Sequence, residues 1–199
     1  MSPTPTDTAA PTKVLLDANI LFSRTLRDWL FLLRNETGGE AFTILATEDI
    51  IAETIYRYRR RYRRASGAQI AAVHDRIVEQ LDDRIVDYEI DDTSPLADEN
   101  DAHVHAAAVA AGIDLVITAD TGFTNLDDKQ RATLGYRALT ADEFLTEVDN
   151  VTPSAVDAVT RAQLRYWRAR GEGRSLDEAL DAADCPRFAA RVRARLKPT

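Results

Sequence analysis

The sequence predicts an α/β fold: a central parallel sheet of about four to five strands between two helical layers (α/β/α), followed by an all-helical appendage. Short apolar runs alternate with stretches of helical period from residue 13 to residue 149, the pattern of a parallel sheet covered on both faces. After Asn150 no strand signal appears and only helical periodicity remains. The charge changes at the same place: residues 1–149 carry 15 Lys and Arg against 27 Asp and Glu, and residues 150–199 carry 10 against 6. The expected division is a disordered leader over 1–12, an α/β domain over 13–149 and a helical extension over 151–199.

Lys13 to Asp17 (KVLLD) is the first strand, an apolar run suited to burial on both faces. Apolar residues then recur at helical spacing from Ile20 to about Arg34, and Gly38-Gly39 stops that helix. Thr43 to Ala46 reads as a short strand or a turn. Thr47 caps a helix running to about Tyr62, and Ser66-Gly67 breaks it and starts another through Ile70, Val73, Ile77 and Leu81. Arg84 to Tyr88 reads as a core strand, and the acidic, Pro95-containing segment Glu89 to Asp101 as a loop. An alanine-rich helix follows from about Asn100 to Ala111, closed by Gly112 as a left-handed cap. Asp114 to Thr118 (DLVIT) and Tyr136 to Leu139 are the remaining strands, and Thr140 with Glu143 forms a capping box for a helix to Val148. In the extension, Pro153 to Arg170 is helical, Ser175 with Glu178 makes another capping box, and Pro186 suits the first turn of a last helix.

The bulk composition excludes several classes. No run approaches the roughly 20 apolar residues of a membrane span, and the Pro- and Thr-rich start lacks the basic and apolar stretches of a signal peptide. The single cysteine, Cys185, rules out an internal disulfide and a cysteine-based metal cage. These features point to a cytoplasmic protein with no membrane partner. A net charge of −8 argues against a nucleic-acid partner, but a compact basic run, Arg57 to Arg64 (RYRRRYRR), stands inside the acidic part.

Four acids sit where such a fold collects its chemistry. Ligands of a doubly wound sheet bind at the carboxyl ends of the strands, near the switch in strand order. Asp17 ends the first strand, and Asp120 lies two residues beyond the DLVIT strand, at the same edge. Asp101 is in the first turn of the helix that precedes that strand, and a helix antiparallel to the strands starts at their carboxyl ends. Glu53 joins them if its helix packs across the sheet edge. Clustered carboxylates repel one another unless a divalent cation neutralises them, and hard oxygen donors favour Mg2+ or Mn2+ over zinc. A cation so held, with water positions open, activates water for in-line phosphoryl displacement and needs no protein nucleophile.

These residues in their settings resemble the PIN-domain nucleases: LLDANILFS at 15–23, Glu53 in DIIAETIYR, and Asp101 and Asp120 in DENDAHVHAAAVAAGIDLVITADTGF at 98–123. The resemblance covers about 13–149, and the combination is specific although each piece alone is weak. It implies a PIN-like fold in which Asp17, Glu53, Asp101 and Asp120 match the acidic quartet that binds Mg2+ or Mn2+ and cleaves single-stranded RNA. Many bacterial members are VapC-type toxins held inactive by a cognate small antitoxin, and PIN proteins commonly form homodimers. The tail resembles, more loosely, a helical extension found on a subset of these toxins. The resemblance therefore implies an endoribonuclease with RNA, an antitoxin and a second copy of itself as partners.

Other residues carry two readings. Asn19 either orients a carboxylate or the substrate, or satisfies turn backbone. Arg57, Arg60, Arg61 and Arg64 are candidates for phosphate contact with tyrosines stacking bases, or else form a solvated face paired with the acidic loop 87–99 or with an antitoxin. Asp98 and Glu99 read as a solvated acidic loop. His103 and His105, two apart on a helix, point to different faces and read as structural. Trp29 and Trp167 read as core or interface residues. A dehalogenase-type aspartyl nucleophile needs a second Asp where Asn19 stands, and neither GxGxxG nor GxxxxGK occurs. A non-catalytic scaffold and a housekeeping RNA-processing role are the remaining alternatives.

Overall fold

Each apolar run becomes a strand of one sheet, because only a sheet covered on both faces buries every residue of runs such as Val14-Leu15-Leu16. The computed structural model describes residues 10–90, 101–170 and 175–196. Its five strands are β1 (Thr12–Leu16), β2 (Phe42–Thr47), β3 (Asp83–Ile85), β4 (Leu115–Ile117) and β5 (Arg137–Leu139). They pair entirely in parallel in the order β3-β2-β1-β4-β5. The chain steps outward from β1 to β2 and β3, then returns to the other side of β1 for β4. The switch point therefore lies between β1 and β4, with Leu16 opposite Ile117.

The helices follow the expected order with instructive differences. The helix expected from Ile20 is two, α1 (Ala18–Phe22) and α2 (Arg24–Glu36), because the Ser23 hydroxyl accepts from the Leu26 N–H and caps a new start. Next come α3 (Glu48–Arg61), capped by Thr47, and α4 (Gly67–Val78), opened by a Ser66–Gln69 capping box. The alanine-rich helix is α5 (Ala102–Ala110). Gly112, at φ +57°, closes it as expected: its N–H reaches the Val109 carbonyl and the Ile113 N–H reaches Ala108. Two short helices, α6 (Thr121–Thr124) and α7 (Asp128–Thr133), were not anticipated between β4 and β5. The helical C-terminal region then follows α8 (Ala141–Val151) as α9 (Pro153–Arg170), α10 (Leu176–Asp181) and α11 (Pro186–Leu196).

Thr43 to Ala46, read as a short strand or a turn, is a strand that pairs on both sides. Three further expectations need correction. The run read as Arg84 to Tyr88 forms a strand only over Asp83–Ile85, at the sheet edge, where Ile85 alone is buried and Val86 is 68% exposed. Asp17 is not the last strand residue but the N-cap of α1, its Oδ1 2.5 Å from the Ala18 N. β1 starts at Thr12, inside the segment read as leader. Of the acidic loop read over Glu89 to Asp101, residues 91–100, with Asp98, Glu99 and Asn100, lie outside the described ones. Among the described residues no helix is long and apolar enough to cross a membrane.

One apolar cluster joins the sheet to the helical region. Trp29 on α2 meets Phe188 on α11 edge-to-face at 5.0 Å, and Phe42 on β2 meets Phe144 on α8 at 5.1 Å. The arginines of α11 form its outer fastening: Arg187 pairs with Asp142, Arg191 and Arg195 with Asp149, and Arg193 with Asp177 and Asp181. The positive balance of the tail is thus largely matched locally by acids of α8 and α10.

Candidate active site

Asp17 anchors the carboxyl edge of the sheet. It stands where β1 turns into α1, only 7% exposed, and both its oxygens are engaged. Oδ1 accepts from the Ala18 N–H, and Oδ2 accepts from the Thr118 hydroxyl at 2.6 Å and the Asn19 amide at 2.5 Å. Burial pushes its carboxyl above the usual range. The bonds from Thr118 and Ala18 oppose that shift, the charge of Glu53 adds to it, and Arg57 offsets part of it.

Thr118 and Asn19 tie this anchor to β4. The Thr118 hydroxyl accepts from the Asp120 N–H at 2.9 Å, so one side chain bridges Asp17 and the backbone of Asp120. The Asn19 carbonyl accepts from the Ala119 N–H at 3.0 Å, and its amide reaches Thr118 at 3.2 Å. Of the two readings open for Asn19, the geometry shows a clamp across the switch point that holds the Asp17 carboxylate.

Asp120 caps the single turn of α6, with Oδ1 accepting from the Gly122 N–H at 2.7 Å. Asp101 occupies the cap position of α5 and makes no capping bond with its side chain, whose Oδ2 is buried. The two meet over Gly122. A Cβ added there would stand 3.1 Å from Asp101 Oδ2 and 3.1 Å from Asp120 Oδ1, with no other non-neighbouring atom within 4 Å. Behind Asp101, burial and the Asp101 charge hold the Tyr136 phenol well above its usual range, so it stays protonated, 2.9 Å from His105 Nδ1. His105 is thereby accounted for, as the sequence reading held.

Glu53 arrives because α3 packs on α1: the buried Thr54 hydroxyl lies 3.5 Å from the Ala18 carbonyl, which sets the preceding residue, Glu53, close enough for its charge to act on Asp17. Its carboxylate turns onto Arg57, one helical turn on, at 2.6 and 2.8 Å. Arg57 therefore neutralises Glu53. Arg60 lies over the Tyr56 ring at 5.7 Å and Arg61 over Tyr62 at 5.5 Å, while Arg64 follows the end of α3.

The four acids come together as two pairs, Asp17 with Glu53 and Asp101 with Asp120, joined through Thr118. Among the described residues, no group of three acids or imidazoles is spaced to hold a metal ion. The reason is local: Glu53 faces Arg57, and the oxygens of Asp17 are taken by Ala18, Asn19 and Thr118. The residues nevertheless fit a hard divalent cation, since two carboxylate oxygens face an otherwise clear space above Gly122. Cys185, the one thiol, is wholly buried in the helical region. Thr118, Tyr136 and Gly122 escaped the sequence reading. The threonine and glycine do carry a signal, the pattern T-A-D-x-G that closes a hydroxyl bridge and an aspartate turn.

A family model described as a PIN domain matches residues 13–122, more than half of the chain. No curated protein and no solved structure matches it.

Proposed function

The chain belongs to the PIN-domain family, whose members are generally nucleases, and on that premise we propose that it is a divalent-metal-dependent endoribonuclease of single-stranded RNA. The observation that carries this reading is the convergence of Asp101 and Asp120 on the space above Gly122, beside Asp17 at the switch point of the sheet. Asp17, Glu53, Asp101 and Asp120 are the proposed ligands of Mg2+ or Mn2+. The cation, when bound, neutralises the acidic edge and supplies an activated water for in-line displacement at phosphorus.

The chain's own residues do the rest. Asn19 and Thr118 hold Asp17 in place, and Arg57 either keeps Glu53 neutralised or releases it and turns to a substrate phosphate. Arg60, Arg61 and Arg64 extend positive charge along the path that an RNA backbone follows away from the edge. Labelled single-stranded RNA incubated with Mg2+, Mn2+ or EDTA tests this. Cleavage is expected only with metal and is expected to vanish in Asp17→Asn; cleavage that survives EDTA sinks the reading.

We further propose the toxin of a VapBC-type pair, a cytoplasmic homodimer restrained by a small antitoxin. The α9–α11 region, packed onto the sheet domain through Trp29 and Phe188, supports this by its likeness to the extension on some such toxins. Expression alone is expected to arrest growth, and co-expression of a small protein encoded next door to restore it. Normal growth with nuclease activity confirmed points instead to a housekeeping role.

A further inference from the structure

A second feature lies away from the carboxylates. Helices α2, α3, α4 and α9 wall a cavity of about 820 Å3. Its cations are Arg24, Arg27, Arg61 and Arg76, and its one acid is Asp28. A neighbouring hollow of about 700 Å3 shares Tyr58, Arg61, Tyr62, Val73 and Arg76 with it and adds Arg63 and Arg64, with no acid. A chain of net charge −8 thus concentrates six arginines around one continuous depression. Among the described residues neither Arg61 nor Arg76 is in an ion pair, although the charge of Arg76 reaches Asp28.

Five of the remaining lining residues are aromatic, Phe22, Phe31, Tyr58, Tyr62 and Tyr166, beside aliphatic and polar ones. Tyr62 and Tyr166 are 48% and 46% exposed, and both face the cavity. Gln163, on α9, also lines it and is 6% exposed; its Nε2 is buried with no hydrogen-bond partner among the described residues. A buried amide donor without an acceptor is destabilising, a cost that a ligand acceptor entering the cavity would relieve. Cations for a phosphate, ring faces for a base and a free donor for a base edge are the three requirements of a nucleotide.

We propose that this cavity is a nucleotide subsite, taking one base and its phosphate from single-stranded RNA that flanks the cleavage point. The proposal rests on the nuclease reading for what is cleaved, but not for what is bound. Size favours it over a protein partner: the volume is that of a small-molecule pocket, roughly 300–1,000 Å3, whereas a stable protein partner needs a broad face of about 800 Å2. Position favours it too. Glu53, Arg57 and Arg61 follow one another on α3, and Arg61 stands two turns, about 12 Å, from Glu53 along the axis. Gln163 and Tyr166 lie beyond the matched residues 13–122, so the helical C-terminal region supplies the base-reading wall.

Binding of short fluorescein-labelled single-stranded RNA to the full-length chain in EDTA, read by anisotropy, tests this without catalysis. Arg76→Ala, at an exposed position, is expected to weaken binding about tenfold and to flatten the log–log salt dependence by about 0.7. Arg76→Lys is expected to keep the slope. Gln163→Leu is expected to keep the slope and lose discrimination between homopolymers. RNA carrying 4-thiouridine is expected to crosslink within 58–76 and 162–166. Unchanged affinity and slope in Arg76→Ala, or crosslinks confined elsewhere, overturns the subsite. So does RNA binding that stays intact while the same substitutions release a co-purifying protein, which would make the cavity a protein interface. If these binding effects hold but the wild type cleaves no RNA in Mg2+, the subsite stands and the nuclease reading falls.

Discussion

Gly122 is the residue where one added carbon tests the candidate centre. Its backbone suits alanine, since its φ is not in the left-handed region, so the effect of Gly122→Ala comes from crowding. The methyl would stand 3.1 Å from both Asp101 Oδ2 and Asp120 Oδ1. Metal-dependent cleavage is expected to fall on the order of 10- to 100-fold, with the melting temperature nearly unchanged; unaltered cleavage would place the chemistry elsewhere. Cys185 gives a control of a different kind. Burial, aided by Asp142 and Asp184, pushes its thiol up to about 12. A native chain is therefore expected to resist thiol reagents at pH 8 and to react fully once denatured. At this scale the sequence displayed the acids themselves but not their contacts. Asp17 and Asp120 stand out because each follows a strand, whereas the hydroxyl of Thr118 reaches Asp17 across 101 positions of sequence, a contact that its local T-A-D-x-G pattern does not reveal.

The elements at the end of the chain depend on charge in a way that pH exposes. The Ser175 hydroxyl, with Arg193, holds the Asp177 carboxyl below its usual range. A carboxyl whose folded pKa is depressed adds stability above its unfolded pKa, near 3.8, and that contribution is lost as pH falls through the folded value. Asp177→Asn is expected to lower the melting temperature at pH 7, and the gap from wild type is expected to close as pH drops from about 4 toward 2. A gap independent of pH would contradict that. Helices were legible where a cap and a period agree, as at Thr47, Thr140 and Ser175. The break at Ser23 was not, because the apolar period runs on through it. Nor were α6 and α7, which are too short to show a period. β3 misled for a related reason: its Arg-Ile-Val alternation suits a core strand, but the sheet ends there and leaves Val86 in solvent.

Across the whole molecule, one apolar cluster runs from the sheet into the helical region. Phe188 is fully buried against Trp29, and Phe188→Ala is expected to cost about 3–5 kcal/mol. Calorimetry is expected to show a single shifted transition; two transitions would mean that the regions melt separately. The same packing sets α9 against α2, so the sheet that aligns the acids also holds the wall of the arginine-lined cavity. Fold class follows from the alternation of strands and helices and was legible in the sequence, whereas the strand order β3-β2-β1-β4-β5 came only from the structure. The pairing of the acids was not legible either, since it depends on where α3 crosses α1. The most direct test of the account is a Mn2+ titration by calorimetry on wild type, Asp101→Asn and Asp120→Asn. Each substitution is predicted to weaken binding at least about tenfold at unchanged melting temperature, and equal binding by all three would contradict a cation site at the carboxyl edge of the sheet.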